Sequence, residues 1–231
     1  MKRVMEKLKN GNPAILAFLG DSVTQGCFEI SFSREDVLET SYRQRQGYPH
    51  KLGEILSYLY PKASVNILNY GVSGETASMG LRRIDEMLSH KPDGVVVCFG
   101  LNDAGSGMDG LEAYRENLRS IFERLSKVDV VFMTPNRMAE QADSFLLDER
   151  IYHAAEKISR FQKEGIMDAY MECAHRVCAE KAVPLCDCYE IWGKLKENGV
   201  DTSHLLSNGI NHPTEQMHWM FAIELVRTIM K

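Results

Sequence analysis

The chain has 231 residues, 44% apolar and 26% charged, with a formal net charge of -5 at pH 7. That length suits one large α/β domain, residues 1–231, able to bury a sizeable core. No stretch approaches the ~20 apolar residues of a membrane span, and an acidic balance without a long basic run excludes the usual footprints of nucleic-acid and membrane-surface binding.

The N-terminal "MKRVMEKLKN" lacks the apolar run and cleavage site of a secretory signal, so the expected compartment is the cytoplasm. Beyond it, short apolar runs alternate with longer segments of helical period, the pattern of βαβ units and a mainly parallel sheet. Strands are predicted at 14–20, 65–71, 94–100, 130–136 and 183–189. Helices are predicted at 49–60, 75–89, 111–126, as one long helix or a pair within 143–181, and at 214–230. Pro61 and Pro92 follow two of them and Pro213 precedes the last. Residues 27–47 read as the least periodic segment, a long polar loop whose Arg34, Arg43 and Arg45 would border a cleft.

In open parallel sheets, ligands bind beyond the carboxyl ends of the strands. The residues there are Gly20-Asp21-Ser22, then Gly71-Val72-Ser73-Gly74, Gly100-Leu101-Asn102-Asp103 and Thr134-Pro135-Asn136, with "SNGINHP" at 207–213 before the last helix. Acyl transfer needs a nucleophile, a base within reach of it, and donors for the oxyanion. Ser22 supplies the first and His212 the second. The N–H groups of Ser22 and Gly74 with the Asn102 side-chain amide supply the third. Asp21 reads as a turn residue, and Asp103 as a brace for its own loop.

These blocks resemble those of the SGNH (GDSL-type) hydrolases, a family of esterases, lipases and acylhydrolases: Gly20-Asp21-Ser22, "NYGVSGET" with Gly74, "GLND" with Asn102, and "NHP" with His212. Each block alone is weak, but the four in order are specific. The resemblance implies a flavodoxin-like three-layer α/β/α fold with a five-stranded sheet, no cofactor, and a serine nucleophile with a histidine base. It also marks a departure. Most members carry an aspartate three residues before the histidine, and here that place is Gly209.

The nearest substitute is Asn208, and a Ser-His dyad oriented by Asn208 or by a backbone carbonyl is expected; Asp201 or another acid from outside the motif is the alternative. In a comparable triad, exchanging the aspartate for asparagine costs about four orders of magnitude in turnover. Without a carboxylate, the His212 midpoint is expected near the ordinary value of about 6.5. His204 is the rival base.

The cysteines, Cys27, Cys98, Cys173, Cys178, Cys186 and Cys188, read as buried thiols. A zinc site from Cys173, His175, Cys178 and Cys186 matches no finger or ribbon spacing, so no metal is expected. "GSGMDG" at 105–110 fits a dinucleotide fingerprint, but "LNDA" separates it from its strand and Asp129 opens the next strand rather than ending it. The function expected is hydrolysis of a small-molecule carboxylic ester through an acyl-Ser22 intermediate, with a small acyl group on a hydrophilic carrier such as an acetylated sugar. The alternatives are a thioesterase and a binding protein that retains the pocket without turnover.

Overall fold

The computed structural model describes residues 1–33, 37–142 and 148–231. The elements in order are α1 (Lys2–Lys9), β1 (Ala14–Gly20), α2 (Ser22–Gln25), β2 (Cys27–Phe32), β3 (Leu38–Tyr42), α3 (Tyr48–Leu59), β4 (Val65–Gly71), α4 (Ala77–Arg82), α5 (Ile84–Ser89) and β5 (Gly94–Cys98). They continue with α6 (Leu111–Arg124), β6 (Asp129–Met133), α7 (Glu149–Lys163), α8 (Ile166–Glu180), β7 (Leu185–Cys186), α9 (Cys188–Glu197) and α10 (Glu215–Ile229).

The main sheet is parallel, in the order β4-β1-β5-β6-β7. Numbered among themselves, its strands run 2-1-3-4-5, the flavodoxin-like order. Helices flank the sheet; α3 packs on α10, while α6 packs on α4 and α8. Because helices cover the sheet, β5 is buried throughout and β1 everywhere except Ile15, which is why both read as unbroken apolar runs. The chain leaves β1 toward β4 on one side and returns to β5 on the other, so the loops after these strands part above β1. That crevice is where Ser22 stands.

Several elements differ from the sequence expectation for identifiable reasons. The strand expected at 183–189 is only Leu185–Cys186, because Asp187 ends it. Its carboxylate accepts the Glu190 N–H at 3.1 Å and so caps α9, besides accepting the Thr134 hydroxyl at 2.9 Å. The helix expected at 75–89 is two, α4 and α5, meeting at Arg83, whose guanidinium reaches the Tyr70 carbonyl at 3.0 Å and the Glu75 carboxylate. The helix start expected at 143 falls outside the described residues; from 148 onward the segment is the pair α7 and α8.

Residues 27–47 are not a loop throughout: β2 and β3 form an antiparallel pair pairing Ile30 with Thr40 and Phe32 with Leu38. The α1 helix was also unexpected; it buries Val4, Met5 and Leu8, and the Asp129 carboxylate accepts the Arg3 N–H at 2.7 Å. Asp129 is therefore committed to a helix end. The segment 105–110 lies in 3₁₀ turns ahead of α6, well past the end of β5.

All six cysteines are buried and unbridged, with the sulfurs of Cys186 and Cys188 3.8 Å apart. Among the described residues, no helix is long and apolar enough to cross a membrane, and no three His, Cys, Asp or Glu side chains cluster as metal ligands would.

The end of β4 presses on the α2 turn so closely that a Cβ at Gly71 would stand 2.2 Å from the Gln25 nitrogen and 2.6 Å from the Thr24 carbonyl carbon. Both are backbone atoms that cannot swing away. Gly71→Ala is therefore expected to lower unfolding free energy in urea by about 1–3 kcal/mol; a wild-type midpoint and slope would contradict this contact.

Candidate active site

Apolar β1 ends at Gly20, and Asp21 turns the chain. Its backbone is extended and its Oδ1 accepts the Val23 N–H at 3.0 Å, capping the one-turn α2. Ser22 becomes the first residue of that helix, where an N–H has no intrahelical acceptor. Gly20 has to be glycine for space, since a Cβ there would lie 2.1 Å from Thr24 Oγ1 and 2.8 Å from the Cys98 carbonyl oxygen. Burial pushes the Asp21 carboxyl up to about 7, and Asp103 reinforces the shift; Asp103 itself is raised to about 6 by burial. Asp103 accepts the Ala77 N–H at 3.0 Å, bracing the start of α4. Asp21 thus holds its own turn, as the sequence suggested, while Asp103 reaches beyond its own loop to the start of α4.

His212 sits on a closed loop. Ser207 N–H donates to the His212 carbonyl at 2.7 Å, and Leu206 bridges Pro213. Asn208 Oδ1 accepts three backbone N–H groups, from Ile210 at 3.0 Å and from Asn211 and His212 at 2.9 Å each. Its Nδ2 donates to Asn211 Oδ1 at 3.0 Å. Asn208 therefore shapes the loop and does not hold the imidazole, which corrects the role assigned to it from sequence. Gly209, where relatives place an acid, has φ +65°, a conformation that favours glycine. Asn136 Nδ2 braces the same loop from the end of β6, donating to the Asn211 carbonyl at 2.9 Å.

The ring partner is the Phe28 carbonyl oxygen, 2.8 Å from His212 Nδ1. A carbonyl oxygen only accepts, so Nδ1 carries the proton and, in the neutral ring, Nε2 is left with a lone pair. Nε2 lies 3.0 Å from Ser22 Oγ, which donates to it. The Phe28 oxygen is available because β2 is irregular there. Cys27 pairs with Tyr42 and Ile30 with Thr40, so Phe28 and Glu29 oppose Ser41 alone; such a bulge leaves a residue outside the ladder and re-aims its groups.

Neighbours hold the bulge in place. Arg43 grips Glu29 through two hydrogen bonds of 2.6 and 2.7 Å and lies over the Phe28 ring at 4.2 Å. On Phe28's other flank is the buried His218, 5.0 Å between ring centres, whose Nδ1 accepts the Tyr48 N–H at 3.1 Å. Burial drives His218 down to about 3, so it is a neutral acceptor and a core residue.

Burial also holds His212 below the usual imidazole range, while the Phe28 carbonyl and the Glu29 carboxylate pull the other way. Desolvation wins because, among the described residues, no carboxylate hydrogen-bonds the ring.

Gly74 and Asn102 reach the same place from β4 and β5. The β4 loop is pinned to the serine turn: Val72 N–H donates to the Gly20 carbonyl at 3.1 Å and Ser73 N–H to Gln25 Oε1 at 2.7 Å. Gly74 follows at φ +79°, and a Cβ there would meet nothing within 4 Å. Conformation, not crowding, requires the glycine. Asn102 Nδ2 donates one hydrogen to the Glu75 carbonyl at 2.9 Å, and its second amide hydrogen remains for a ligand. Ser22, Gly74, Asn102 and His212 all line one pocket of about 220 Å³.

Other candidates lie elsewhere. Asp201 bonds the Ser203 hydroxyl at 2.6 Å and His204 Nε2 at 3.3 Å, both exposed and outside this pocket. Arg43 is committed to Glu29, Arg45 is exposed and does not line the pocket, and Arg34 lies outside the described residues.

This geometry sets the titration. An NMR titration is expected to give a His212 midpoint below 6.5, correcting the value near 6.5 anticipated from sequence, and Glu29→Gln is expected to move it further down because a charge favouring the imidazolium is lost. A midpoint above 6.5 would show that a carboxylate does reach the ring. Asn208→Ala is expected to lose about 1–3 kcal/mol of stability by orphaning buried N–H groups, read from urea unfolding.

Comparison with known proteins points the same way. The GDSL-like lipase/acylhydrolase family matches residues 18–220. An acetylxylan esterase of Geobacillus stearothermophilus is 26% identical over 140 residues, 55% of this chain and 62% of that enzyme, so the match spans less than two thirds of the relative. Solved structures share the fold. A two-domain esterase active on acetylated mannans superposes with a TM-score of 0.68 at 20% identity, covering 99% of this chain and 52% of its own. A catalytic mutant of an acetylxylan esterase from G. stearothermophilus does so with a TM-score of 0.67 at 21% identity, covering 94% of both chains. The sheet and its flanking helices are thus shared with known structures, and the chain belongs to the GDSL-like lipase/acylhydrolase family.

Proposed function

We propose that the protein hydrolyses carboxylic esters through an acyl-Ser22 intermediate. The observation that carries this reading is the 3.0 Å contact between Ser22 Oγ and an His212 Nε2 left basic by the bond from Nδ1 to the Phe28 carbonyl. His212 takes the Ser22 proton as Oγ attacks the ester carbonyl carbon. The resulting oxyanion is received by the N–H groups of Ser22 and Gly74 and by the free Asn102 amide hydrogen. The protonated His212 then gives its proton to the departing alcohol. Water enters, loses a proton to His212, and releases the acid from Ser22.

The relatives described as acting on acetylated xylan and mannan support a carbohydrate as the alcohol half of the ester. With no carboxylate on Nδ1, the imidazolium is stabilised by the Phe28 carbonyl dipole and, at longer range, by the Arg43-paired Glu29. The dyad is therefore expected to work with its base already neutral at pH 7.

A fluorophosphonate probe should label Ser22 rapidly, and Ser22→Ala should abolish labelling and lower p-nitrophenyl ester turnover by about 10⁴–10⁶. Asn102→Ala should cost about 10²–10³ in kcat. A folded protein that neither labels nor turns over esters would overturn the proposal in favour of a binding protein that keeps the pocket.

A further inference from the structure

The pocket beside Ser22 has two unlike sides. Its base is polar: Ser22, Ser73, Gly74, Asn102 and the Asn208–His212 loop. Its walls are mostly apolar. Ile30, Phe32 and Leu38, with Thr40, come from the β2–β3 hairpin, whose alternation turns every second residue inward, and Ile151, Ala154 and Ile158 come from α7. Among the described residues no charged side chain lines it.

Ile151, Ala155 and Ile210 form a buried cluster apart from the main core, with Ile30, Phe32 and Ala154 packed against it and Ile158 packed against both, and Leu38 at the pocket wall is 54% exposed. A second apolar cluster opening onto a nucleophile is costly to leave wet unless an apolar ligand covers it.

We infer that this pocket holds the acyl chain of the substrate and selects chains longer than acetyl. The inference rests on the ester-hydrolase reading and extends it. A pocket of about 220 Å³ has room for an acyl chain longer than acetyl. The two-step chemistry decides which half of the ester lies there. The alcohol leaves after the first step, and water must come in where it left; walls of isoleucine, phenylalanine and leucine are a poor path for water. The acyl chain stays on Ser22 through both steps. The expectation of a small acyl group drew on the arginines of residues 27–47, and Arg43 and Arg45 do not line the pocket.

The test is a p-nitrophenyl ester panel from acetate to decanoate, run beside fluorophosphonate labelling of Ser22. Each buried methylene is worth about fourfold in kcat/KM, so butyrate or hexanoate should exceed acetate by about tenfold or more. Ala154→Phe, which fills the α7 wall, should cut the hexanoate-to-acetate ratio at least about tenfold. Thr40→Phe on the hairpin provides a second blocking variant, and retained Ser22 labelling shows that each is folded.

If Ser22 labels but acetate remains the best ester, the acyl-chain inference is overturned while the hydrolase reading stands. If acetate esters of longer alcohols gain with chain length and the acyl series does not, the pocket holds the alcohol and the inference is equally overturned. If Ser22 neither labels nor turns over any ester, both fall together.

Discussion

The hydrogen bond from His212 Nδ1 to the Phe28 carbonyl oxygen, 2.8 Å long and buried, fixes how the rest of the site can behave. It does three jobs that a carboxylate does in a Ser-His-Asp triad: it fixes the ring's orientation, selects the tautomer, and leaves Nε2 facing Ser22. It differs in one respect, because a carbonyl carries a dipole and no charge. The imidazolium is therefore less favoured, and burial is free to pull the His212 pKa down rather than be outweighed. A site of this kind trades stabilisation of the charged intermediate for a base that is deprotonated over a wider pH range.

That bond needs a backbone oxygen outside any ladder, in a fixed place, and the surroundings of Phe28 supply both conditions. The bulge frees the oxygen. The Arg43–Glu29 pair, the Arg43 guanidinium over the Phe28 ring and the tilted contact of that ring with His218 fix the strand. The partly exposed Arg43–Glu29 pair contributes little to stability by itself; its value lies in holding geometry. The same hairpin turns Ile30, Phe32 and Leu38 toward the pocket. One structural device thus orients the base and shapes the space in which a substrate would lie.

The sequence made some of this legible and concealed the rest for physical reasons. The central strands were readable because buried parallel strands are apolar on both faces, as in the run at 14–20 that coincides with β1; the run at 65–71 coincides with the partly exposed edge strand β4. That Ser22, Gly74, Asn102 and His212 share one pocket was readable because each stands just beyond a strand end or before the last helix, where a parallel sheet gathers its loops. Phe28 was not. Its contribution is a carbonyl, which every residue has, and a bulge leaves no residue-type signature. The hairpin itself did leave a trace in the alternation of "FEISF" and "LETSY", overlooked because the intervening polar residues dominate the segment's composition. Asn208 was misassigned because sequence proximity to His212 cannot distinguish a side chain that faces the ring from one that closes the loop beneath it. Asp187 shows the same limit, an acid inside an apolar run that reads as strand yet starts a helix.

The tautomer of His212 tests this account most directly. In protein labelled with ¹⁵N in histidine, two-bond ¹H–¹⁵N correlations at a pH above the His212 midpoint should show a protonated Nδ1 and a bare Nε2, with the Nδ1 proton protected from solvent exchange. A neutral ring protonated at Nε2 would mean that Phe28 does not hold it, and the dyad described here would be wrong.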